Sequence, residues 1–285
     1  MEFTLYSDVS AFYDDVFEIL MRDEALNQIP AGNLLIGADR YGWQDPANWF
    51  LATVSDETGI RLTAIMTRPY HLTLYATDNQ YDDSTLACLV DGLLGTTFSV
   101  GTMMAENTLA QDFAQTYSAA TGREHHIKVR QRLYALDHVN PEIPSIGHLR
   151  LAQESDMAFL PYWSQAFDSE CLGMMPSLSD NVEISQKNIA TKKMYVLEDN
   201  GTPVSMARIT REMRTVCAVV AVYTPPYFRG KGYASSCVAG VSRVILERGF
   251  ERAVLYTDLS NPTSNSIYQK IGYQPIGDSM IIAFE

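Results

Sequence analysis

What this 285-residue chain lacks narrows its function before any motif is read. It has no apolar run of about 18 residues, the length a membrane-spanning helix needs. Its N-terminus, Met1-Glu-Phe-Thr4, has no basic segment of the kind that opens a secretory leader. A cytoplasmic protein that does not engage a membrane is therefore expected. Cysteine is scarce: Cys88, Cys171, Cys217 and Cys237 stand apart without a C-x-x-C pair, which suits reduced, buried thiols better than a disulfide framework or a zinc site. Among five histidines, His125-His126 are the one adjacent pair. Neighbours on a strand point to opposite faces, so the two rings do not readily share a metal and none is expected. Cations are outnumbered, 21 Lys and Arg against 34 Asp and Glu, for a formal charge of −13. That balance argues against a nucleic-acid binder, which needs a basic footprint to displace counterions. It suits a cationic substrate such as an amine, or simply keeps an acidic protein in solution.

What the chain does have is core material, with 46% apolar residues. Residues Ala135 to Gly147 carry two prolines, a closing glycine and little periodicity, and read as a linker between domains at 1–134 and 148–285. In the second half the pattern predicts strands at His148–Gln153, Met194–Glu198, Val204–Thr210 and Thr215–Tyr223, with helices at Asp156–Phe167 and Asn181–Lys192. Asp199-Asn-Gly-Thr202 is a hairpin signal. A helix over Lys231–Arg248 follows, with Val238, Val241 and Ile245 on one face and Gly249 as its cap, then a strand at Arg252–Asp258. Strand, helix and strand make one right-handed crossover, so the two strands are expected to be parallel. Asn261-Pro262 opens a short helix closing at Gly272, and Ser279–Phe284 is a last strand. The first half repeats this rhythm: strands at Trp49–Val54, Arg61–Thr67, His71–Ala76 and near Phe98–Met104, with helices at Ser84–Leu94 and Asn107 to Gly122. A divergent duplication of one α/β unit is expected.

The most informative stretch joins the strand ending at Tyr223 to the helix after it. Pro225-Pro226 stop the strand, and Gly230 and Gly232 allow a tight turn and clear side chains from the space ahead of the helix. N–H groups of a first helical turn point into such a space, where the helix dipole favours an anion, and Arg229 and Lys231 add positive charge. This is a candidate pyrophosphate cradle. A dinucleotide fingerprint needs a third glycine, where Ser235 stands, and an acidic residue ~20 positions on. A Walker loop needs Ser or Thr after its lysine, where Gly232 stands. A purely structural turn remains the plain alternative.

Arg229-Gly-Lys-Gly-Tyr-Ala234 and Asn261-Pro-Thr-Ser-Asn-Ser-Ile-Tyr-Gln-Lys-Ile-Gly-Tyr273, at this mutual spacing, resemble the two hallmarks of the GNAT superfamily of N-acetyltransferases. The resemblance covers about Ile146 to Glu285, and the first half is similar to the degenerate leading domain of two-domain bacterial members. It implies an α/β (α+β) fold of two tandem GNAT-like domains, each a mixed, mostly antiparallel twisted sheet flanked by helices, with a βαβ crossover carrying the coenzyme loop. It also implies acetyl-CoA as co-substrate and a small-molecule or peptide amine as acceptor. Backbone groups of Val222, Tyr223 and Thr224 would pair with the pantetheine arm, the N–H of Val222 polarising the thioester carbonyl. Backbone N–H groups of Arg229, Gly230, Lys231, Gly232, Tyr233 and Ala234 would hold the pyrophosphate, and Asn261 would meet the pantetheine. Tyr268 would protonate the departing thiolate, a role suited to a phenol of ordinary pKa about 10, unless its ring is simply packing. Tyr273 reads as core.

The family's better-equipped members have a base on the strand before the loop, and Thr215–Val222 carries no carboxylate or histidine. Glu212 is the nearest acidic side chain; a water chain or an amine arriving neutral serves equally. The first half has no second cradle, because Asp78, Asp82 and Asp83 stand at the corresponding helix entrance, without a glycine. Its role is expected to be roofing the acceptor pocket or burying a sheet edge, with Tyr41, Trp43 and Trp49 as pocket-wall or core candidates. A non-catalytic acyl-CoA-binding sensor or interaction module is the competing reading.

Overall fold

The computed structural model describes residues 1–40, 49–67 and 70–285. The first half of the chain runs β1 (Glu2–Leu5), α1 (Val9–Met21), α2 (Gln28–Arg40), β2 (Trp49–Asp56), β3 (Gly59–Thr67), β4 (Leu72–Ala76), α3 (Asp83–Leu94), β5 (Thr102–Glu106), α4 (Asn107–Thr121) and β6 (His125–Leu136). The second half runs β7 (His148–Leu151), α5 (Leu160–Phe167), α6 (Leu178–Ala190), β8 (Met194–Asp199), β9 (Thr202–Thr210), β10 (Val216–Tyr223), α7 (Tyr233–Glu247), β11 (Arg252–Asp258), α8 (Pro262–Ile271) and β12 (Gln274–Phe284).

The same plan is drawn twice. In the first half β1, β2, β3 and β4 pair antiparallel in turn, and β4 then pairs β5 in parallel after the α3 crossover. In the second half β7, β8, β9 and β10 pair antiparallel, and β10 pairs β11 in parallel after α7. The expected crossover and its parallel pair are both present.

Two compact units result, and they interleave along the sequence. One comprises Met1–Leu133, Thr257–Ser260 and Ile276–Glu285; the other comprises Tyr134–Tyr256 and Asn261–Pro275. The chain's last strand thus lies in the first unit, where β12 pairs β5 antiparallel from Ser279–Glu106 to Ala283–Thr102. Period-two alternation explains its fit: Met280, Ile282 and Phe284 all enter the first unit's core, beside Leu86, Leu89, Val90 and Leu93 of α3. Trp49, read as pocket wall or core, is core on β2 at 5% exposure, whereas Tyr41 and Trp43 lie outside the described residues.

In the second unit the amphipathic stripe of α7 is as the spacing predicts, with Val238, Val241 and Ile245 fully buried against Ala207, Ile209, Cys217 and Val219 of the sheet. α5 and α6 cover the opposite face, where Leu160 and Trp163 meet Met194, Val196, Met206 and Tyr223. The stretch read as a linker does not hang free. Ala135 and Leu136 finish β6, Asn140 N–H donates to Ile271 O at 2.8 Å, and Ile146 N–H donates to Ser236 Oγ at 3.1 Å. His125 and His126 turn apart, to Ser118 and Glu285, and no group of three or more His, Cys, Asp or Glu suited to a metal occurs among the described residues. No described helix is long and apolar enough to cross a membrane.

Candidate active site

The site is built where β10 ends. Its register with β9 steps from Val220 opposite Arg208 to Tyr223 opposite Met206, so Ala221 and Val222 share the single place across from Ala207. Ala221 takes a φ of 52°, unusual for a residue with a Cβ, and the strand bulges there. On its other side β10 pairs β11 only from Val216 to Ala218. Beyond Ala218 the two parallel strands separate, which leaves the last residues of β10 with an edge able to receive an extended guest. The carbonyl of Tyr223 accepts from Ser205 Oγ at 3.1 Å, and that of Thr224 accepts from Arg229 Nε at 2.8 Å. Both are thereby fixed in place.

After Pro225 a short turn delivers the loop to α7. Gly230 and Gly232 have φ of 77° and 85°, and a Cβ on Gly232 would come 3.0 Å from Ile146 Cδ1. Gly232 is the N-cap of α7, so no side chain caps the helix. Ser236 is the first residue of the turn whose N–H finds a carbonyl, that of Gly232 at 3.0 Å. Among the described residues no acceptor meets the N–H groups from Gly230 to Ser235. The N–H of Arg229, by contrast, is taken by Pro226 O at 3.2 Å. Gly230, Lys231 and Gly232 are exposed, so the mouth is open. An open first turn with uncommitted amides is chemically an anion site.

The two cations beside the loop differ. Arg229 donates to Glu170 Oε2 at 2.6 Å and lies 5.6 Å from the centre of the Tyr223 ring, whose hydroxyl donates to Glu170 Oε1 at 3.0 Å. Glu170 therefore clamps the strand end to the loop and neutralises Arg229. The Arg229 bond holds Glu170 below the usual carboxylate range. Burial, then the bond to Glu170, pushes Tyr223 up to about 12. Sequence reasoning missed Glu170, which stands 53 and 59 residues from its partners with no local signal. Lys231 has no ion pair among the described residues and lies 6.0 Å from the Phe228 ring centre.

Tyr268 projects from α8 into the core that also holds Val219 and Cys237, with Val222 and Tyr233 packed at its margin. It keeps 9% exposure, and its hydroxyl makes no hydrogen bond with the described residues. Burial raises its pKa far above that of a free phenol, so the hydroxyl stays protonated. Tyr273 is fully buried with its hydroxyl on Ser242 at 2.8 Å, the core role expected of it. Asn261 caps α8, its Oδ1 accepting from Ser264 N–H at 3.0 Å, and is exposed. Glu212 is engaged: it pairs with Lys193 at 2.7 Å and with Arg248. Burial acts to raise its pKa, but the two cations outweigh that and draw it below the ordinary value. Such a carboxylate is a poor proton acceptor.

Residues 159–273 match the family model described as "Acetyltransferase (GNAT) family", a span running from α5 through the bulged strand and glycine loop to Tyr273. The matched residues fall almost wholly in the second unit, which is similar to a GNAT domain. Solved structures similar to the whole chain include a GNAT-family acetyltransferase from Colwellia psychrerythraea, 11% identical, with a TM-score of 0.63 over 100% of this chain and 99% of that one. A GCN5-related N-acetyltransferase from Sphaerobacter thermophilus is 14% identical, with a TM-score of 0.65 over 98% and 94%. A tandem GNAT protein from the clavulanic acid biosynthesis pathway is 11% identical, with a TM-score of 0.58 over 100% and 98%. No curated protein matches the chain. The fold is that of two tandem GNAT-like domains, and the GNAT family supports acyl transfer as the general class of activity.

Proposed function

We propose that this protein is an acetyl-CoA-dependent N-acetyltransferase of the GNAT type that moves an acetyl group to a small-molecule or peptide amine by direct attack, in the cytoplasm. The observation that carries the reading is the uncapped mouth of α7, where six consecutive N–H groups from Gly230 to Ser235 have no acceptor among the described residues. The diphosphate of the coenzyme supplies the missing acceptors and sits at the positive end of the helix dipole. The pantetheine arm extends along the open edge of Val222, Tyr223 and Thr224, with Asn261 at the start of α8 contacting it. The N–H of Val222, at the bulge, is aimed at the thioester oxygen as negative charge develops there.

In the chemical step the amine attacks the carbonyl carbon, the C–S bond breaks, and Tyr268 gives its proton to the leaving thiolate. Its buried, protonated and unpartnered hydroxyl suits that task. The engagement of Glu212 favours one competing reading, an acyl-CoA sensor without turnover. The discriminating experiment is calorimetry with acetyl-CoA followed by thiol release over an amine panel. An enzyme binds the coenzyme and releases free thiol when an amine is present; a sensor binds it and releases none.

A further inference from the structure

Direct attack needs a group that takes the amine's proton, and β10 offers none. Five carboxylates of the second unit are buried or half-buried: Asp156, Asp168, Glu198, Asp199 and Glu212. Four are engaged. Asp156 and Glu198 pair with Arg150 at 2.7 and 2.8 Å, Asp199 accepts from the Tyr233 hydroxyl at 2.6 Å, and Glu212 holds Lys193 and Arg248. Asp168 makes no side-chain hydrogen bond or ion pair among the described residues. It is the one of the five that the described residues leave without a donor, so its oxygens are free to meet a ligand or solvent.

Its position follows from its neighbours. Asp168 begins a wide helical turn, Asp168–Leu172, that directly follows α5. Two residues on, Glu170 ties that turn to Tyr223 at the end of the bulge and to Arg229 of the loop. α5 is itself set against this strand end, with the Trp163 ring centre 6.4 Å from that of Tyr223. Arg208, opposite Met194 and Val220, shares the sheet face of Met206, Tyr223 and α5, and it is the cation that acts on Asp168. α7 packs on the other face. Asp168 thus lies on the turn that Glu170 ties to the end of β10, on the α5 side of the sheet and opposite α7.

We propose that Asp168 is the group that accepts the proton of the incoming amine. The inference rests on the acyltransferase reading. As the N–C bond forms, the N–H proton passes to the Asp168 carboxylate, the C–S electron pair goes to sulfur, and Tyr268 protonates the thiolate. Exchange with solvent restores both residues, so an amine and a thioester become an amide and a thiol. Burial raises the Asp168 carboxyl above the usual range while Arg208 opposes the shift, bringing it nearer the pH at which a base must work. The charged and titratable groups that act with it are Arg208 from β9 and Cys171 from its own turn, while Glu170, two residues on, binds Tyr223 of β10 and Arg229 of the loop.

The test compares wild type, Asp168→Asn and Asp168→Glu by thiol release over the amine panel across about pH 6 to 9, with calorimetry of acetyl-CoA. Asp168→Asn is expected to lose ~100-fold or more in kcat/KM at neutral pH. The deficit narrows as rising pH delivers the amine neutral, Asp168→Glu recovers part of the loss, and coenzyme affinity is unchanged. An Asn variant within about threefold of wild type at every pH, or one that also fails to bind acetyl-CoA, overturns the assignment. A wild-type protein that releases no thiol with any amine overturns the acyltransferase reading itself, a failure visible before any variant is made.

Discussion

The two halves of the chain build the same strand–crossover–strand unit and finish its helix mouth in opposite ways. In the first, α3 is capped by Asp82, whose Oδ1 accepts from Thr85 N–H at 2.9 Å and from the Thr85 hydroxyl at 2.9 Å in a closed capping box. The cation nearby, Arg61, is bound to Asp56 at 2.7 Å and to Gln80 at 2.6 Å. In the second, α7 has Gly232 at the same place, no cap and an open first turn. A carboxylate on the chain itself occupies the position that an external anion needs at α3, whereas the mouth of α7 is left open to one. One residue at the N-cap decides whether a helix end is a structural joint or a binding site.

The largest expected effect comes from making the second mouth resemble the first. Gly232→Asp, combined with Ile146→Ala to relieve the 3.0 Å approach, puts a capping carboxylate over the amides. Calorimetry should show acetyl-CoA affinity falling by ~100-fold or more, about 3 kcal/mol, and the thermal midpoint should fall as well, because the φ of 85° at Gly232 strains any residue with a Cβ. Next is Tyr268→Phe, which leaves both mouths untouched: kcat falls ~100-fold while coenzyme affinity stays within about threefold. Full activity in this variant would remove the phenol from the mechanism.

Smaller effects sharpen the electrostatics. Arg229→Ala weakens coenzyme binding by less than ~tenfold, because Glu170 already neutralises that guanidinium. Lys231→Ala has a comparable effect that disappears at high salt, as an exposed charge should. Asp82→Ala lowers the thermal midpoint by a few degrees and leaves acetyl-CoA binding alone. Its hydrogen bonds, first those from Ser84 and Thr85, hold Asp82 below the usual carboxylate range. Its contribution is therefore complete above that range and lost as pH falls through the lowered pKa, so wild type and variant converge in acid.

The glycine loop, the α7 stripe, the Asn261 cap and the parallel crossover were legible because each is written in residues close together in sequence. The aspartates at the α3 mouth were legible for the same reason. The bulge was not: Ala221 adopts its positive φ inside an unbroken apolar run, where no glycine marks it. Of β6 only the solvated start around His125 and His126 was legible as strand; its continuation to Leu136 was not. The assignment of β12 to the first unit, the Glu170 clamp and the unengaged state of Asp168 depend on partners many residues away. Local patterning carries no trace of these.

The central claim is that the amides at the α7 mouth grip the coenzyme by its diphosphate. Titrating the protein with acetyl-CoA and, separately, with acetyl-pantetheine, which keeps the thioester and lacks the diphosphate, tests it most directly. Tight binding of the first and no measurable heat from the second is the predicted result; equal affinity for the two would contradict it.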